Sequence, residues 1–98
     1  MEGIDMTRNT QNDIIEVLDN LKNFLLEKNK KYGDSALNPT MIFSGDAVEM
    51  QIRNRIDDKL SRIKNSDELR KNDTVDLLGY LVLLLIAKRW VDFDDILE

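Results

Sequence analysis

Apolar residues recur every three or four positions along most of this chain, and the recurrence marks out three helices. Ile14, Leu18, Leu21 and Leu25 form the first stripe, reinforced by Val17 and Phe24, which is the spacing of an amphipathic helix. That helix is expected to begin at Thr10, with Asp13 three residues on as a weak capping box. It ends in Lys30, Lys31 and Tyr32, where the lysines suit the carbonyl end of the helix dipole and Gly33 offers a C-cap. Ile52, Ile56, Leu60 and Ile63 mark the inner face of a second helix, capped by Ser44 and running to about Lys64. The third opens at Asn72 or Asp73 and runs to about Arg89, with Trp90 and the acidic tail forming a short closing turn or helix. Residues 33–43 read as a loop turned by Asn38-Pro39, and residues 65–71 as a polar connection. A polar stretch without periodicity, residues 1–9, reads as a tail ahead of one helical domain at 10–98.

The third helix is apolar nearly all round between Val75 and Ile86. Such a helix is either central or covered by another subunit, and two other helices of a small chain can hardly cover it. The pattern therefore predicts an all-α antiparallel bundle of three main helices, assembled as a homo-oligomer through residues 75–86.

Composition narrows the chemistry. One Pro and four Gly in 98 residues favour helices over a turn-rich β fold. A net charge of -5 argues against phosphate neutralisation along a nucleic-acid polymer. The chain has no Cys and no His, which excludes disulfides, thiolate or imidazole metal sites, and Ser-His or Cys-His nucleophiles. A metal would need oxygen ligands, so Mg²⁺ or Mn²⁺ is the cation to expect. The apolar run 77–87 is too short to span a bilayer, and no apolar leader precedes it; a cytoplasmic protein with no membrane partner is expected.

Charge then becomes the informative feature. Asp46, Glu49, Arg53 and Asp57 follow one stripe of the second helix, and Asp73, Asp76, Leu77, Tyr80 and Leu84 share a face of the third. Carboxylates directed at a core are costly unless a cation or hydrogen bond offsets the burial. In one reading Arg53 and Lys59 neutralise them in a structural network. In the other, Glu49, Asp73 and Asp76, supported by Asp46 or Asp57, hold Mg²⁺ that activates water while Lys30, Lys31, Arg55 and Lys59 clamp phosphates. Tyr32 would stack on a base or sugar, and Arg53 and Tyr80 complete the candidate nucleotide contacts. An antiparallel pairing of the two helices brings Asp73 and Asp76 closer to Asp57, Lys59 and Arg62 than to Glu49. Trp90 and Phe93 read as core or interface anchors.

Three strings occur in order: Lys28-Asn29-Lys30-Lys31-Tyr32-Gly33-Asp34-Ser35, Arg55-Ile56-Asp57-Asp58-Lys59-Leu60-Ser61-Arg62-Ile63, and Asp73-Thr74-Val75-Asp76-Leu77-Leu78-Gly79-Tyr80. Together, over roughly residues 25–87, the chain resembles the nucleotide modification associated domain family of phages and bacteria. The resemblance implies a nucleotide or nucleotide-derived small molecule as ligand. More distantly, the order is similar to the all-α nucleoside triphosphate pyrophosphohydrolases of the MazG and dimeric dUTPase type. Those oligomers hold Mg²⁺ between a Glu-Glu-x-x-Glu helix and a later Glu-x-x-Asp helix. Asp46-x-x-Glu49 and Asp73-x-x-Asp76 occupy the comparable places, but the doubled Glu is missing, Asp twice replaces Glu, and Arg53 intrudes. The resemblance implies a Mg²⁺-dependent (d)NTP pyrophosphohydrolase. The departures favour a non-catalytic, oligomeric nucleotide-binding protein that sequesters a signalling nucleotide or regulates a nucleotide-modifying enzyme. A third reading is an assembly module whose charges are all structural.

Overall fold

A computed structural model describes residues 9–34 and 48–97. Among them the chain is all-helical, with no strand: α1 (Thr10–Tyr32), α2 (Val48–Asn65), α3 (Lys71–Ala87) and a short 3₁₀ helix, η1 (Asp94–Ile96). None of the described helices is long and apolar enough to cross a membrane. The chain divides into two units, Met1–Gly33 and Asp34–Glu98, and α1 is taken first.

The cap of α1 is Asn9 rather than Thr10. Its side-chain oxygen accepts from the backbone N–H of Gln11 at 2.9 Å and of Asn12 at 3.3 Å, satisfying two of the amides a helix start leaves unpaired. At the other end Gly33 adopts φ 70°, a left-handed conformation that costs glycine little. Its N–H donates to the Asn29 carbonyl at 2.7 Å, and the Asn29 side-chain amide donates back to the Gly33 carbonyl at 3.2 Å. Lys30 and Lys31 lie in the last turn, as the dipole favours. No residue of α1 is buried.

The second unit is an antiparallel α2–α3 hairpin joined by residues 66–70. The described part of α2 starts at Val48, so Ser44 and Asp46 lie outside the described residues. Ile52 is fully buried and is the centre of the hairpin core. Ile56, Lys59 and Ile63 follow it along the inner row, all half-buried, whereas Leu60 is exposed. The inner face therefore steps 52, 56, 59, 63, and a lysine takes the place expected for Leu60. Lys59 tolerates this because it meets two carboxylates there.

The third helix begins one residue earlier than expected, at Lys71, with Arg70 at the N-cap and no side-chain cap bond. The Thr74 hydroxyl donates to the Arg70 carbonyl at 2.9 Å. Arg89, at φ 61°, ends the helix. Its N–H donates to the Ile86 carbonyl at 3.0 Å, while the Trp90 N–H reaches back to Leu85 at 2.9 Å. This pair of bonds is the Schellman arrangement, in which a left-handed residue turns the chain away and satisfies terminal carbonyls. Arginine stands here where glycine is the usual choice.

Candidate functional site

Because α2 and α3 run antiparallel, the charged stripe of α2 meets the two ends of α3 separately. At the connection end, Lys59 Nζ lies 3.1 Å from Asp76 Oδ2 and 3.7 Å from Asp73 Oδ1. Asp73 is 6% exposed, the one buried charged residue among those described. It also occupies the first turn of α3, where the exposed amides favour negative charge. Burial of this carboxylate is thus offset twice, by the Lys59 ammonium and by the helix start.

One turn along, the Arg55 guanidinium stands over the Tyr80 ring, 6.0 Å from its centroid. Arg55 and Lys59 are four apart on α2, and Asp76 and Tyr80 are four apart on α3, so both pairs stack in the same direction. A cation, a phenol ring, an ammonium and two carboxylates consequently form one strip on the hairpin. Arg55 is exposed and Tyr80 half-buried, whereas the Lys59 and Asp73 side chains are largely covered.

The far end of the hairpin carries a second cluster. Lys88 Nζ lies 2.9 Å from Glu49 Oε1, and Arg53 lies 3.6 Å from Glu49 Oε2. The Lys88 hydrogen bond, followed by its charge, holds the Glu49 carboxyl below its ordinary value; Arg53 adds to this, and desolvation acts the other way. Lys88 also stands 5.3 Å from the Trp90 ring centroid. Sequence reasoning missed Lys88. It could have been found by extending the antiparallel register, because the position that faces the start of α2 must come from the end of α3.

The proposed metal set is thereby divided. Glu49 and Lys59 are ten residues apart on one helix, about 15 Å along its axis, so Glu49 stands a hairpin's length from Asp73 and Asp76. Asp57 is exposed on α2. Among the described residues no group of three acidic side chains is placed to hold a metal ion. Between the paired aspartates stands an ammonium group, so a divalent cation there would have to displace Lys59. The described residues by themselves do not bring together the oxygen ligands that Mg²⁺ takes. Lys30, Lys31 and Tyr32 belong to the α1 unit, where Lys31 lies 5.4 Å from the Tyr32 ring centroid.

Compared with protein-family models, with curated proteins and with solved structures, the chain matches none of them.

Proposed function

We propose that the chain is a non-catalytic nucleotide-binding protein that works as a homo-oligomer. The observation that carries this reading is the strip Arg55–Tyr80–Lys59–Asp76, considered with the three strings resembling nucleotide-handling proteins. A base would stack on Tyr80 and the Arg55 plane, while Arg55 also meets phosphate oxygens. Asp76 would accept from a sugar hydroxyl or a base N–H. Lys59 keeps the aspartates paired and fixed, a positioning role that does not call for Mg²⁺.

Assembly is supported by the exposed apolar side chains on α3, where Leu78, Leu81 and Ile86 remain open. All three fall within the 75–86 stretch expected to meet another copy, and exposed apolar surface of this kind marks interaction sites. Pyrophosphohydrolase activity remains the competing reading, and one experiment separates the two. Melting temperature is measured against a panel of linear and cyclic nucleotides, with Mg²⁺ or with EDTA, alongside a pyrophosphate-release assay on the same protein. A rise of several degrees that persists in EDTA, without product, is expected. Pyrophosphate release dependent on Mg²⁺ would establish the enzyme instead. No shift with any nucleotide would leave an assembly module.

A further inference from the structure

The stop at the end of α3 does not come from the residues around it. No Gly or Pro follows Gly79, so nothing in the local sequence forbids the helix from running on past Ala87. Yet Arg89 takes φ 61°, a left-handed conformation that is costly for any residue with a Cβ. Hydrogen bonding does not explain the choice. The Arg89 and Trp90 N–H groups donate to the Ile86 carbonyl at 3.0 Å and the Leu85 carbonyl at 2.9 Å. In a continued helix the same two groups would donate to Leu85 and Ile86 instead, with no bond lost.

What the stopped form gains is a contact that a helix cannot make. Lys88 stands 5.3 Å from the Trp90 ring centroid, whereas residues two apart on a helix do not face each other. The Lys88 ammonium is itself held 2.9 Å from Glu49 Oε1, so the start of α2 fixes the cation on which Trp90 sits. The dipole acts in the same direction. Lys88 and Arg89 directly follow the last turn, where cations are favoured, while a continued helix would carry Asp92, Asp94 and Asp95 toward its carbonyl end. The continued form has gains of its own. It relieves Arg89, and it sets Asp92 one turn beyond Lys88 and Arg89, within reach of both. Each of these contributions is small and of similar size, so the balance between the two forms is narrow.

We propose that the end of α3 is a two-position device. The Trp90 ring on Lys88 holds the helix stopped at Arg89, and loss of that contact lets it run on into residues 88–96. The segment it moves is apolar and open, with Trp90 56%, Phe93 53% and Ile96 72% exposed. Stopped, the chain turns away from α3 at Arg89. Continued, the helix would bring Ile96 into line with Leu78, about five turns earlier, and lengthen the face expected to meet another copy. That last consequence rests on the assembly reading; the device itself rests on neither the assembly nor the nucleotide reading.

Backbone chemical shifts of the full chain test the device directly. In the unaltered protein, residues 89–92 are expected to give non-helical Cα shifts. Trp90→Ala is expected to move them to helical values, and Lys88→Met, which removes the cation instead of the ring, is expected to do the same. Both side chains are more than a third exposed, so neither change disturbs the core. Val91→Ala raises helix propensity without touching the contact and is expected to leave the stop in place. Adding Arg89→Gly to Trp90→Ala is expected to restore it. Non-helical shifts at 89–92 in either Trp90→Ala or Lys88→Met would overturn the proposal, and so would helical shifts in Val91→Ala or in the unaltered protein. Sedimentation velocity on the same samples reads assembly separately. Larger assemblies are expected for Trp90→Ala, and an extended helix with unchanged sedimentation would remove the link to assembly alone.

Discussion

Replacing Lys59 with methionine should be the most damaging single charge change in the hairpin. The side chain is 14% exposed, and its ammonium stands 3.7 Å from the carboxylate of Asp73, whose side chain taken alone is 8% exposed. Removing one partner of a buried ion pair costs about 3–5 kcal/mol, because the other charge stays behind uncompensated. The start of α3 continues to favour Asp73, returning about 0.3–1 kcal/mol. Asp76 is 27% exposed, so water takes over part of its loss. Methionine keeps most of the buried stem. The net expectation is a loss of about 2–3 kcal/mol, read by urea denaturation at fixed protein concentration. Changing Asp73 and Asp76 to asparagine in the same chain should recover most of it, since a buried pair replaced as a whole is often nearly neutral. Arg53→Met is the control. That side chain is 58% exposed, and an exposed i,i+4 pair is worth only about 0.3–0.5 kcal/mol. A Lys59→Met loss as small as the Arg53→Met loss would refute the claim that the Lys59 pair is shielded and structural.

Three other outcomes follow from the geometry. Glu49 has its pKa lowered in the folded protein below the ordinary 4.5, so its contribution is present above that pH and fades as pH falls through the depressed value. Glu49→Gln should therefore destabilise at pH 7, and the gap to the unaltered protein should close below about pH 4.5 in acid titrations; a gap that does not change with pH would contradict the Lys88 assignment. Arg89→Gly should stabilise by about 0.5–1 kcal/mol, because glycine removes the cost of the left-handed conformation; thermal unfolding measures this, and a loss would show that the arginine side chain contributes more than the strain removes. Arg55→Ala should weaken nucleotide binding about tenfold or more while leaving the melting temperature of the free protein within a few degrees; equal affinities by calorimetry would remove the Arg55–Tyr80 strip from the proposed site.

What could be learned without coordinates was periodicity, and periodicity is a local property. The three helices, the glycine stop at Gly33, the C-terminal end of α2 and both ends of α3 to within a residue or two all follow from spacing and capping chemistry among near neighbours. Even the adjacency of Lys59 to Asp73 and Asp76 was foreshadowed by antiparallel helices joined by a short connection. Helix registration about its own axis was not. At 100° per residue, positions 59 and 60 both lie near the apolar arc, and hydrophobicity favours leucine. Tertiary packing turned the lysine inward, because an ammonium facing a buried Asp73 gains more than a leucine placed beside that charge would. The separation of Glu49 from the aspartates has the same origin. Composition can place acids on facing stripes, but only the length and direction of the paired helices decide that one end of the stripe meets Lys88 and the other meets Lys59.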